Sequence, residues 1–160
     1  MNRKAIYPGT FDPITLGHIN ILEKASKLFD SVTLAVAAYT GKQSFFSLQE
    51  RYDLCVESTK HLANVDVISF EGLSVEFARQ QGCEVMIRGL RAVSDFEYEL
   101  SLALTNTKLD SGIETIFLVP SLRYMYLSSS MIRQLAELGG ELKDFVPACV
   151  RDALTARYKV

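Results

Sequence analysis

Tyr7-Pro8-Gly9-Thr10-Phe11-Asp12-Pro13-Ile14-Thr15-Leu16-Gly17-His18 joins a short apolar stretch, Lys4 to Tyr7, to a segment in which Ile19, Leu22, Ala25, Leu28 and Phe29 recur at helical spacing. The first reads as a strand and the second as an amphipathic helix. Between them, Gly9 lets backbone approach a ligand closely, while Pro8 and Pro13 stiffen the turn. Gly17 and His18 place an imidazole at a helix N-terminus, where unpaired N–H groups and the helix dipole favour anions. The outline is that of a nucleotide-phosphate site, and the chemistry it suggests is phosphoryl or nucleotidyl transfer. The plainer reading of His18 is a side chain that caps or packs at the helix start.

The pattern repeats along the chain. Val32 to Ala38 reads as a buried, β-branched strand, and Ser47-Leu48-Gln49-Glu50 is a capping box opening a helix to about Leu62. Val65 to Phe70 is a third strand, Gly72 breaks the chain, and Val75 to Gln81 is a short helix. Glu84 to Ile87 is a fourth strand, and Ser94-Asp95-Phe96-Glu97 is a second capping box before a long helix to about Leu109. In that helix Phe96, Leu100, Ala103 and Leu104 form an apolar stripe expected to face the core. Ile113 to Val119 is the fifth strand. Ser128 caps a helix to about Leu138 that Gly139-Gly140 ends, and Pro147 suits the first position of a last helix to about Tyr158.

Strands alternating with helices at this interval imply βαβ units, a five-stranded parallel sheet covered on both faces and an α/β, doubly wound class, with residues 1–160 as one domain. Ligands then lie at the C-terminal ends of the strands. The polar segments 8–18, 39–46, 72–74, 88–95 and 120–130 are expected to face that crevice together.

Composition narrows the partners. A chain of 160 residues holds a core without covalent staples. Cys55, Cys83 and Cys149 are far apart and sit in apolar surroundings, which reads as buried thiols of a reducing compartment and makes a zinc site improbable. With no N-terminal apolar leader and no apolar run of spanning length, the expectation is a soluble cytoplasmic protein without membrane association. A net charge of −2 argues against a nucleic-acid partner, so an anion site must be built locally from a few cations.

Those cations are visible. Arg88 and Arg91 flank Gly89 and Leu90 directly after the fourth strand, and guanidinium groups make bidentate contacts to phosphate oxygens. The competing reading is a salt bridge to Asp95, Glu97 or Glu99. Lys42 sits in a loop after the second strand, where lysines are usually just solvated. Ser128, Ser129 and Ser130 offer three hydroxyls at a helix start, where a plain cap needs one. Glu99, beside Tyr98, suits either an arginine partner or a ribose hydroxyl. His61 reads as a surface residue, and Met125, Met131 and the aromatic residues read as core.

Thr15-x-Gly17-His18 resembles the signature of the nucleotidyltransferase superfamily, with Thr15 where many members carry a first histidine. Taken with Ile87 to Glu99 (IRGLRAVSDFEYE) and Ser128 to Arg133, the whole chain resembles the bacterial phosphopantetheine adenylyltransferase family. The resemblance implies a Rossmann-like nucleotidyltransferase fold and an enzyme that joins ATP and 4′-phosphopantetheine into dephospho-coenzyme A and pyrophosphate, with magnesium (Mg2+), as a homohexamer. It implies ATP contacts from Thr10, Phe11, His18, Gly89, Leu90, Arg91, Glu99, Tyr124, Met125, Tyr126, Leu127, Ser128, Ser129 and Ser130. It implies acceptor contacts from Thr10, Lys42, Ser74 and Arg88, with Thr10, His18, Lys42 and Arg88 as the catalytic set. Ser74 stands where relatives often have an apolar residue, and Tyr124-Met125-Tyr126-Leu127 departs from the usual aromatic-Ser-Phe-Ile. The alternatives are a nucleotidyltransferase for a nicotinate mononucleotide or glycerol phosphate acceptor, and a nucleotide sensor without turnover.

Overall fold

The five strands and six helices expected from periodicity resolve into one parallel sheet with helices on both sides. The computed structural model describes residues 1–91 and 93–159, with Val93 and Ser94 described by backbone alone. The strands are β1 (Lys4–Gly9), β2 (Ser31–Ala37), β3 (Val65–Phe70), β4 (Val85–Gly89) and β5 (Glu114–Leu118). The α-helices are α1 (Leu16–Leu28), α2 (Leu48–Thr59), α3 (Ser74–Gln80), α4 (Val93–Leu109), α5 (Ser129–Glu137) and α6 (Ala148–Tyr158). All pairings are parallel and the order is β3-β2-β1-β4-β5. The chain runs outward from β1 to β3, then returns to place β4 on the other side of β1. That reversal opens a crevice between β1 and β4 at the C-terminal end of the sheet, where doubly wound folds bind ligands.

Alternation along the strands explains the two-sided cover. Ala5 and Tyr7 of β1, Leu34 and Val36 of β2, and Ile87 of β4 join one core with Leu22, Ile132, Val150 and Leu154. Their neighbours Ile6, Ala35 and Met86 join a second core with Val75, Phe77 and Ala78 of α3. Successive strand side chains point to opposite faces, so one strand feeds both layers.

Helix ends follow local chemistry. Ser47 Oγ accepts the Glu50 N–H at 3.2 Å and Glu50 Oε2 accepts the Ser47 N–H at 2.8 Å, completing the expected box. Ser128 Oγ caps α5 by accepting the Met131 N–H at 3.1 Å, and Gly139 follows that helix at φ +74°. Several boundaries move, and β1 runs on through Pro8 and Gly9 and β4 through Arg88 and Gly89, residues the sequence put in the following turns. Helix α2 stops at Thr59 rather than near Leu62, Pro147 precedes α6 as its cap rather than opening it, and α4 begins before Ser94. The Ser94 side chain, on which the second capping box depended, lies outside the described residues.

The α4 stripe is a larger departure. Phe96, Leu100 and Leu104 are 46 %, 38 % and 63 % exposed, so they do not face the core of this chain. A helical stripe records a need for burial without naming the surface that satisfies it. Cys55 and Cys83 are buried as expected, while Cys149 is only partly so, beside Ser58 Oγ at 3.3 Å. His61 is a surface residue, but α1 supplies a partner, Glu23 Oε1, 3.3 Å from its Nε2. No helix among the described residues is long and apolar enough to cross a membrane.

Candidate active site

The β1–β4 crevice holds a cavity of about 390 Å³. Strand β1 delivers Tyr7, Pro8 and Gly9 to its floor, and the turn after it adds Thr10, Phe11 and Asp12. Phe11 takes φ 50°, a left-handed conformation rare outside glycine, with its ring edge-on to Tyr7 at 5.3 Å and to His18 at 5.0 Å. A Cβ on Gly9 would come within 2.9 Å of that ring, so the absence of a side chain there is a packing requirement.

His18 is the third residue of α1 and forms a reciprocal cap with Thr15. Thr15 Oγ1 accepts the His18 N–H at 3.4 Å, while the Thr15 backbone N–H donates to His18 Nδ1 at 3.0 Å. Because a backbone N–H can only donate, Nδ1 must be unprotonated and the ring proton sits on Nε2. Burial, then the Arg91 and Arg88 charges, push the His18 pKa down to about 3, so the imidazole stays neutral. The cavity is thus offered a fixed, uncharged Nε2–H. Sequence reading placed His18 at the helix start; the cap that chooses its tautomer resembles the Ser/Thr-x-x-Glu/Gln box with histidine in the last position.

The arginines are engaged before any ligand arrives. Arg88 donates from Nε to Glu99 Oε2 at 2.7 Å, from Nη2 to Glu99 Oε1 at 2.8 Å and from Nη1 to the Pro8 carbonyl at 2.9 Å. Burial works to lower the Arg88 pKa, but the Glu99 hydrogen bonds and charge outweigh it and leave it raised. Of five guanidinium N–H groups, two remain for a ligand. Of the two readings of Glu99, the arginine partner within the protein is the one seen here. Arg91 Nε pairs with Asp95 at 3.0 Å, and its Nη1 donates to the Leu127 carbonyl, tying the start of α4 to the turn before α5. Burial also raises the Tyr7 phenol's pKa, so it remains a protonated hydroxyl at the cavity floor.

Of the anticipated residues, Thr10, Phe11, His18, Lys42, Arg88, Gly89, Arg91, Glu99, Leu127, Ser128, Ser129 and Ser130 line this one cavity. Ser74, Leu90, Tyr124, Met125 and Tyr126 are not among its lining residues. Ser74 begins α3 after β3, which lies two strands from β1, so segment 72–74 is at the same end of the sheet but beyond the lining of this cavity. The Leu90 N–H is taken by the Leu118 carbonyl at 2.9 Å. Tyr124, Met125 and Tyr126 belong to the turn whose end, Leu127, reaches the wall. Asp12, Asp95 and Arg133, to which the sequence assigned no ligand contact, line the cavity as well. Arg133 donates to the Asp12 carbonyl at 2.6 Å; its spacing of four from Ser129 on one helix was the available signal.

A family model described as Cytidylyltransferase-like matches residues 6–135, which span the sheet, the cavity and α5 up to Arg133 and beyond. The chain belongs to this family. By class it is a nucleotidyltransferase, as the phosphate-suited crevice had indicated. Two solved structures bear on the fold. A putative nicotinate-nucleotide adenylyltransferase from Vibrio parahaemolyticus superposes with a TM-score of 0.76 over 99 % of this chain and 94 % of that one, at 17 % identity. A lipopolysaccharide core biosynthesis protein from Thermoplasma volcanium GSS1 matches with a TM-score of 0.52 and 25 % identity, covering 74 % of this chain and 96 % of that one. At the first identity the likeness is one of fold alone, and it agrees with the five-stranded parallel architecture.

Proposed function

We propose that this chain transfers the adenylyl group of ATP to the phosphate monoester of 4′-phosphopantetheine, giving dephospho-coenzyme A and pyrophosphate. The observation that carries the reading is that every carboxylate lining the cavity is already paired within the protein. Asp12 accepts the Phe45 and Phe46 N–H groups at 2.7 and 2.9 Å, Asp95 meets Arg91, and Glu99 meets Arg88. Among the described residues no cavity-lining carboxylate stands ready as a general base, whereas cations, hydroxyls and His18 line the ligand space. An acceptor suited to such a site brings its own ionised nucleophile. A phosphate monoester, with a second pKa of about 6, does so at neutral pH. The pantetheine identity rests on the likeness of Ile87 to Glu99 and of Ser128 to Arg133 to the phosphopantetheine adenylyltransferases.

In this mechanism an oxygen of the acceptor phosphate attacks the α-phosphorus of ATP as the bond from that phosphorus to the β-phosphate oxygen breaks. The electron pair leaves with pyrophosphate. Lys42, Thr10 and the two remaining Arg88 N–H groups orient the acceptor phosphate. His18 donates to a non-bridging α-phosphate oxygen, and Arg91 with the Ser128 to Ser130 turn holds the β- and γ-phosphates. The paired carboxylates do not fit a protein-held magnesium, and among the described residues no three His, Cys, Asp or Glu side chains converge. Magnesium belongs to the proposal as part of the nucleotide substrate, coordinated by phosphate oxygens and water. The proposal extends to a homohexamer, supported by the uncovered apolar side of α4, and to the cytoplasm, where the three free cysteines stay reduced.

The test is pyrophosphate release with 4′-phosphopantetheine, nicotinate mononucleotide, glycerol phosphate and dephosphorylated pantetheine as acceptors. Release with the first alone, and ATP formation from dephospho-coenzyme A and pyrophosphate, is expected. Release with another phosphate acceptor would replace the substrate, and ATP binding without any release would replace the enzyme by a sensor. Exchange of labelled pyrophosphate into ATP without acceptor would reveal an adenylyl-enzyme and overturn the direct attack.

A further inference from the structure

Arg51 is 1 % exposed and is the largest fully buried side chain among the described residues, yet it does not line the cavity. A lone guanidinium in a core is costly, and an apolar residue of its volume would pack there without that penalty. Its donors show what it does instead. Nη1 donates both to the Thr10 carbonyl and to the Ala37 carbonyl at 2.8 Å, and Nε reaches the Phe46 carbonyl at 3.3 Å. Asp12 completes the lattice, since its two oxygens accept the Phe45 and Phe46 N–H groups. Ala37 ends β2, and the chain leaves there, carries Lys42 past Gly41, and returns at Phe46. Both ends of the segment that bears Lys42 are therefore fastened to the turn that bears Thr10, across 41 residues of sequence between Arg51 and Thr10. Lys42 itself is exposed, and no other tie holds its side chain among the described residues.

We propose that Arg51 is a positioning residue for the transfer: by clamping the carbonyls of Thr10, Ala37 and Phe46 it sets Lys42 and Thr10 at the spacing that receives the acceptor phosphate. This rests on the acceptor side assigned under the proposed function. The nucleotide side hangs less on the clamp, because His18 stands on α1, the serines at the start of α5 and Arg91 on the link between β4 and α4, and Arg51 bonds none of these. Arg51 should therefore act chiefly on the acceptor.

Arg51→Lys keeps a cation on α2, but one compact ammonium lacks the planar fork that spans the three carbonyls. In the full-length enzyme, its amides 38–46 should exchange hydrogen at least roughly tenfold faster while β1 and β2 keep their protection. Turnover per acceptor, as kcat/KM, should fall on the order of 100-fold, with the Kd for ATP within about threefold. In a Lys42→Ala background the same substitution should cost clearly less than it does in the wild type, because much of its effect passes through Lys42. Equal losses on ATP and acceptor with protection lost throughout the sheet would reduce Arg51 to a stabiliser, and unchanged kinetics would remove its role. If Arg51→Lys fails to fold, Asp12→Asn, which keeps one acceptor oxygen and turns the other into a donor, loosens the Phe45 and Phe46 end of the same segment and must show the same bias toward the acceptor or the proposal falls. A wild-type enzyme that turns over no acceptor would refute the proposed reaction instead. Exchange at 38–46 then decides the clamp alone, local loosening supporting it and an unchanged pattern overturning it.

Discussion

His18 should serve the reaction as a neutral donor, and two substitutions separate that role from its role in the helix cap. His18→Gln retains an oxygen to accept the Thr15 N–H, as in an ordinary capping box, but removes the imidazole; His18→Ala removes both. The cap is visible in stability. Alanine leaves the Thr15 N–H without its 3.0 Å partner and should cost about 1 kcal/mol in a urea melt at pH 7.5, while glutamine should cost little. The donor is visible in rate: loss of one preorganised hydrogen bond to the reacting phosphate should lower kcat roughly 100- to 1,000-fold, about 3 to 4 kcal/mol, with a much smaller change in ATP Kd. Protonation adds an independent check. His18 has an ordinary pKa of 6.5 in the unfolded chain and about 3 when folded, so the unfolded state takes up a proton first as pH falls. Its contribution is present above pH 6.5 and drains away below it, by roughly 2 kcal/mol at pH 5. Wild type should lose that much more stability than His18→Gln between pH 7.5 and 5. The rate profile should carry an acid limb near pH 6 that belongs to the acceptor phosphate and persists in His18→Gln. A limb that disappears in that variant, or His18→Ala with near-normal kcat, would refute a neutral His18 donor.

Arg91→Ala removes a charge-assisted phosphate contact and frees the Leu127 carbonyl, so titration calorimetry should show ATP binding weakened by roughly 1.5 to 3 kcal/mol and acceptor binding much less affected. Arg88→Ala strands the buried Glu99 carboxylate and should destabilise the fold by about 3 to 5 kcal/mol, as measured by denaturant melts, on top of any loss of acceptor binding. A melt unchanged from wild type would mean that the pair is solvated. Gly9→Ala drives a methyl to 2.9 Å from the Phe11 ring, which Tyr7 and His18 box in, and should cost about 1 to 3 kcal/mol with turnover reduced in parallel.

What the amino-acid sequence determined was whatever three or four neighbouring residues decide among themselves. The Ser47–Glu50 box, the Ser128 cap and the alternation of strands with helices all depend on contacts within a turn or a pleat, and each appears where local pattern put it. A parallel sheet then follows, because short links between strand and helix leave the chain no other way to cover both faces. That in turn gathers Thr10, His18, Lys42, Arg88, Arg91 and the three serines at one end of the sheet. The tertiary structure alone decided who pairs with whom. Arg88 meets Glu99 eleven residues on and the Pro8 carbonyl eighty residues back, a choice that Asp95 and Glu97 could have contested on sequence grounds. The reversal of strand order beside β1 creates that meeting, and no local pattern encodes it. Arg51 looks like any helix-surface arginine until the β1 turn and the end of β2 close over it. The apolar stripe of α4 shows the same limit, since periodicity reports that a face is apolar but packing decides what covers it. Interactions across tens of residues depend on how the layers stack, and that is a property of the folded sheet.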